Sequence, residues 1–190
     1  MSEDETEREE KLQILSGKIK KGDIILMEGN PVVVTEIMNA AIGKHGQRRY
    51  FFRGVRLFNR NQRHEEQVRT ASAQVKLPDL DIKTGVLEEF VTKDQEVFSL
   101  EDKFDLHPQH LSAFRIGCFD DEANQYEQFT VPLNSESGSP IFNTANTYMR
   151  TAALQKWDLG QELKINFVRF GEDSLITGYR WSTQEEAQFD

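Results

Sequence analysis

The chain has 190 residues, 37% apolar and 29% charged, with a net charge of −9, the balance of a globular chain rather than of a disordered one. No apolar run approaches the ~20 residues of a membrane-spanning helix, and the acidic stretch Met1 to Glu10 has no apolar core, so it is not expected to act as a secretory signal. Cys118 is the only cysteine, which excludes an intrachain disulfide and fits a reducing, cytoplasmic compartment.

Charge changes along the chain. Residues 1–17 carry six acids against two bases and are predicted to form an acidic disordered tail. Residues 18–78 carry twelve Lys/Arg against five Asp/Glu, and residues 79–190 nine against twenty-one. Such asymmetry suggests that one half meets a polyanion and the other does not.

The elements follow in order. Aliphatic runs at 23–27 and 32–37, separated by Glu28-Gly29-Asn30-Pro31, predict a hairpin. Residues 38–46 form a loop, and 48–58 a strand with Tyr50 and Phe52 on one face before Val55 and Leu57. The slip in parity predicts a β-bulge at Gly54. A further extended segment, 65–77, completes a small barrel. Residues 80–85 are the expected linker. Strands are predicted at 86–98, 111–119 and 125–131, then a helix over 145–156 capped by Asn143 or Thr144 with Met149, Ala152 and Ala153 inward. Strands at 162–170 and 174–181 form a last hairpin. The expected fold class is therefore mainly β, with two small barrels. An N-terminal SH3-like barrel of the translation-protein type occupies 18–80, and a C-terminal OB-fold with one helix occupies 84–184.

The most informative stretch is Asn39-Ala40-Ala41-Ile42-Gly43-Lys44-His45-Gly46. Two glycines bracket a Lys-His pair between two strands, so the backbone can turn sharply and hold Lys44 out into water. Arg48, Arg49, Arg53 and Arg56 follow, with Arg60, Arg63 and Arg69 beyond them. A projecting cation beside an arginine-rich strand is a footprint for phosphate backbones, and arginine adds bidentate contacts and stacking. A glycine-rich hairpin whose lysine only serves solubility is the plainer reading of the same residues.

Lys20-Lys21-Gly22-Asp23, Gly29-Asn30-Pro31, Gly43-Lys44-His45-Gly46 and Val55-Arg56-Leu57-Phe58 resemble the successive landmarks of the eukaryotic translation factor 5A family, whose relatives include elongation factor P. The resemblance covers residues 18–80 well and extends more loosely to Phe129-Thr130-Val131-Pro132 and the final hairpin. It implies that Lys44 is converted to hypusine with the aminobutyl group of spermidine by deoxyhypusine synthase, and that no other cofactor is needed. It implies binding to the ribosome beside the peptidyl-tRNA, with Lys44 reaching toward the acceptor end to help stalled sequences such as proline runs form peptide bonds, and to assist termination. The contribution would be one of orientation, with the ribosome remaining the enzyme. Arg48, Arg49, Arg53 and Arg56 would contact rRNA or tRNA; no membrane is involved and a homodimer is open. The chain departs from the family pattern at Ile42, usually threonine, and at Gln47-Arg48-Arg49, and residues 93–110 and 135–142 look like insertions.

Other constellations carry less. His107 and His110 lie three apart across a proline, too few ligands for a metal, and no metal site is expected. Residues 135–139 lack a nucleophile elbow, and Asp120-Asp121-Glu122 lacks the spacing of a calcium loop. Phe90, Phe98, Phe114, Phe119 and Phe129 could stack bases on an OB face, but in a half so acidic they are expected to be core. Two alternatives stay open: a self-assembling structural protein resembling the fungal Woronin-body major protein, and an unmodified OB-type RNA-binding module.

Overall fold

The computed structural model describes residues 3–41, 48–59, 61–62, 65–133, 137–139, 147–155, 157 and 160–183. The chain divides into two units, Met1–Leu80 with Glu136–Pro140, and Asp81–Ser135 with Ile141–Asp190. The mainly β fold class expected from the sequence holds.

In the first unit, helix α1 (Glu3–Lys11) leads into strand β1 (Gln13–Leu15). From Glu3 onward, then, the tail expected to be disordered over 1–17 is ordered instead. Arg8 and Lys11 sit in the last turn, where cations oppose the helix dipole. Arg8 forms an ion pair with Asp79, and the Leu77 N–H donates to the Leu12 carbonyl at 2.7 Å. Residues distant in sequence therefore hold in place a segment whose composition alone could not offset its ordering entropy.

Strands β2 (Ile24–Met27), β3 (Asn30–Ala41), β4 (Arg48–Arg56) and β5 (Glu65–Thr70) form a curled antiparallel sheet in that order. The β2–β3 turn is only Glu28 and Gly29, with φ of 51° and 77°. Both central residues are left-handed, as a tight hairpin requires. The segment read as one run over 65–77 breaks at Ala71 and Ser72, and its second part, β6 (Gln74–Lys76), pairs with β1 in a separate ribbon. Val75 and Ile14 of the ribbon complete a core with Ile25, Met27, Val32, Val34 and Phe52.

The bulge expected at Gly54 falls at that rung but on the facing strand. The register passes from Val34↔Gly54 to Glu36↔Arg53, leaving Thr35 as the extra residue, and its hydroxyl donates to the Arg53 carbonyl at 3.1 Å. Gly54 answers a different need. A Cβ there would lie 2.4 Å from both Val32 Cγ1 and the Val33 carbonyl oxygen, so close strand packing demands the glycine. Ser137–Ser139 belong to this unit as well: the Gly138 N–H donates to the Leu57 carbonyl at 3.1 Å, and Ser137 and Ser139 are buried.

The second unit starts with β7 (Asp81–Thr92), which runs through the segment expected to be a linker and ends before the predicted stretch 86–98 does. A turn and the short β8 (Val97–Ser99) follow, then β9 (Leu111–Asp120), β10 (Gln125–Pro132), α2 (Thr147–Leu154), β11 (Gln161–Phe170) and β12 (Asp173–Thr183). The sheet order is β10-β9-β7-β11-β12, with β8 on β7, and β10 also approaches β12. Leaving aside the short β8, three strands, a helix and two strands in that order give the OB-type path. The expected capping residues Asn143 and Thr144 lie outside the described residues. Met149 and Ala153 of α2 are fully buried against Phe90, Phe114, Ile116 and Phe167. Each large side chain so buried contributes about 1.5–3 kcal/mol. Arg150, on the same helix, donates to the carbonyls of Leu111 at 2.8 Å and Leu133 at 3.0 Å, tying α2 to the ends of β9 and β10.

Candidate nucleic-acid interface

Strands β3 and β4 form the longest hairpin of the first unit, and its last rung is Ala41↔Arg48. The six residues that join them, 42–47, include Gly43, Lys44, His45 and Gly46, all outside the described residues. Arg48 pairs with Ala41, and Arg49 with Ala40 on one side and Thr70 on the other. Both arginines are exposed, and neither forms an ion pair among the described residues. Side chains alternate along a strand, so they point to opposite faces of it. Arg48 has the parity of Tyr50 and Phe52, whose rings lie 6.2 Å apart and nearly parallel, while Arg49 has that of Phe51 and Arg53.

Arg53 and Arg56 are engaged within the sheet. Arg53 lies between Glu36 on β3 and Glu66 on β5, one rung deep across three strands. Its Nε donates to Glu66 at 2.9 Å and its Nη1 to Glu36 at 3.1 Å. The hydrogen bond and charge of Glu66, and then Glu36, push the guanidinium above its ordinary range. Opposite charges across a ladder stabilise register, modestly where water screens them. Arg56 donates through Nε to Glu65 at 3.0 Å, and Glu65 is only 12% exposed, with Oε2 buried and unpartnered. Charge counting along the chain misses this because Glu36 is far from Arg53 in sequence and only strand pairing brings them together. Arg60 and Arg63 lie outside the described residues.

The remaining candidates are scattered. His107 and His110 rings meet edge-on at 5.3 Å and are exposed, and no group of three or more potential ligands able to hold a metal ion occurs among the described residues. Phe90, Phe114 and Phe129 are core residues, whereas Phe119 is 58% exposed. Cys118 is half-buried, and burial pushes its thiol up, away from reactivity. No helix among the described residues is long and apolar enough to cross a membrane.

No protein-family model matches the chain, and no curated protein does. Among solved structures it is similar to a translation initiation factor eIF-5A family protein from Naegleria fowleri, with a TM-score of 0.53 at 15% identity over 88% of this chain and 96% of that one. It also aligns with the eukaryotic translation initiation factor 5A from Methanococcus jannaschii, with a TM-score of 0.47 at 15% identity over 90% and 92% of the two chains. At such identity the Naegleria likeness establishes a distantly shared fold.

Proposed function

We propose that the chain is a ribosome-binding translation elongation factor of the 5A type, acting in the cytoplasm and modified to hypusine at Lys44 by deoxyhypusine synthase. The observation that carries this reading is the β3–β4 hairpin. Its ladder runs to Ala41↔Arg48, and the six residues beyond that rung hold Gly43-Lys44-His45-Gly46 between two strands with an exposed arginine pair at the exit. A long amine in the segment that joins two such strands suits insertion toward a tRNA acceptor end, where it would orient rather than react. The ion pairs of Arg53 and Arg56 argue for narrowing the phosphate contacts to Arg48 and Arg49, which can grip a folded RNA from two sides of one strand.

The test is co-sedimentation with purified ribosomes across a salt series. Binding should weaken steeply with salt, and Arg48→Glu with Arg49→Glu should abolish it. A chain that pellets alone as large particles and ignores added ribosomes would replace this reading with self-assembly. Salt-dependent binding to free RNA without ribosome preference would favour a plain OB-type module.

A further inference from the structure

The face of the first-unit sheet that points away from its core carries an apolar row that the Lys44 reading leaves unused. Residues paired across an antiparallel ladder share a face, and alternate residues along each strand return to it. The register of β3, β4 and β5 therefore sets three successive rungs on this face. Met38, Phe51 and Val68 form the middle one. Met38 and Val68 are 43% and 46% exposed and Phe51 is half-buried, on the side opposite Phe52, which is buried in the core. Ala40, Arg49 and Thr70 form the rung on one side, and Glu36, Arg53 and Glu66 the rung on the other.

Single exposed apolar residues are ordinary on a protein surface, whereas a contiguous row rimmed by polar groups marks a contact surface. The two flanking rungs carry opposite charge. Arg49 forms no ion pair among the described residues, so its rung is positive. On the other rung Arg53 donates to Glu36 at 3.1 Å and to Glu66 at 2.9 Å, and one guanidinium against two carboxylates leaves that rung negative. The face thus runs from positive through apolar to negative along the strands.

We infer that this face pairs with the same face of a second copy of the chain. A two-fold axis lying in the contact plane along the middle rung sets Met38, Phe51 and Val68 against their counterparts. It also reverses the strand direction, so each Arg49 comes over the other copy's negative rung, and both charge contacts form by one operation. An axis along the strands would instead set Arg49 on Arg49, so the charges select the first arrangement. Such a contact closes at two and does not propagate into large particles. The three rungs span roughly 10 by 14 Å between their outer Cα positions, well below the ~800 Å² per partner of a standard interface, and the curl of the sheet limits contact further. The dimer is therefore weak and forms at high chain concentration. It buries Arg49, so it competes with the RNA contact proposed for that residue; this consequence alone rests on the ribosome reading.

The experiment is sedimentation equilibrium of the full-length, isotope-labelled chain over a concentration series without ribosomes, with amide shifts followed over the same series. The mass should rise from that of one chain toward that of two and level there, and the concentration-dependent shifts should fall on β3, β4 and β5. Met38→Gln with Val68→Thr should weaken dimerisation by about tenfold, as loss of a few central contacts does. Arg49→Glu should weaken it at least as much and Arg49→Lys should retain most of it. Arg48→Glu, the same reversal on the opposite face of β4, should leave it unchanged. Thermal denaturation establishes that each variant is folded. A chain that stays monomeric, association that runs past two, or shifts on other strands would overturn the inference. So would equal losses from Arg48→Glu and Arg49→Glu, or indifference to the Met38 and Val68 substitutions. A monomeric chain whose ribosome binding is lost in the Met38 and Val68 variant would make a ribosomal protein the occupant instead. Absence of ribosome binding in a chain that dimerises as described would contradict the ribosome reading and leave the dimer standing.

Discussion

Arg53 and Glu66 face each other across the β4–β5 ladder, and Glu36 reaches the same guanidinium from β3, so one arginine holds three strands in register. Arg53 is therefore unlike Arg48 and Arg49. Arg53→Glu is expected to lower the melting temperature and disturb the sheet, and pairing it with Glu66→Arg should recover part of the loss. Arg48→Glu with Arg49→Glu should leave the melting temperature unchanged while removing ribosome binding. Thermal denaturation beside co-sedimentation checks both. If Arg53→Glu is as silent for folding as the tip pair, the three-strand row has no role.

Gly54 is expected to tolerate no side chain. A Cβ 2.4 Å from the Val33 carbonyl oxygen meets backbone, which cannot rotate aside. Gly54→Ala should cost about 1–3 kcal/mol in denaturant unfolding, as overpacking does. A neutral result would mean that β3 and β4 separate easily at that rung.

Lys103 offers a pH prediction. It is 5% exposed, its ammonium lies 4.1 Å over Trp157, and burial pushes its pKa below the ordinary lysine range. Trp157 meets Trp181 edge-on at 5.2 Å, and the chain has only these two tryptophans. Because the folded pKa lies below the unfolded one, the unfolded chain binds more protons between them. The burial penalty is thus complete below the folded pKa and is relieved as pH rises toward the unfolded value, so this group's contribution to stability grows across that window. Intrinsic fluorescence should show a transition with its midpoint below 10.5, and Lys103→Met should abolish it. A transition that survives the substitution belongs to another group.

Much of the fold was legible because alternation and turn residues are local signals. The β2–β3 hairpin and the β9–β10 and β11–β12 pairs fall within a residue or two of their expected starts. What was not legible depends on partners far along the chain. Gln13–Leu15 is too short to show periodicity and becomes a strand only because Gln74–Lys76 pairs with it. The helix at Glu3–Lys11 is anchored through Arg8 to Asp79. Residues 137–139, read as part of an insertion, belong to the first unit through the Leu57 carbonyl. At the candidate interface, the hairpin frame and Arg48 and Arg49 could be read from sequence. The commitment of Arg53 and Arg56 could not, because it rests on carboxylates that only the register brings opposite them.

Lys44→Arg separates charge from modification. The substitution keeps the cation and much of its reach, so stability should change by less than about 0.5 kcal/mol. Activity in a proline-run translation assay should nevertheless fall to that of a null. Normal activity would leave Lys44 as a surface charge.

The most direct measurement is peptide mass spectrometry across residues 42–48 of protein purified from its native host. Lys44 is expected to carry the added mass of a hydroxylated aminobutyl group, with fragment ions assigning it to that side chain. An unmodified Lys44 in cells whose deoxyhypusine synthase is active would contradict the 5A-type reading.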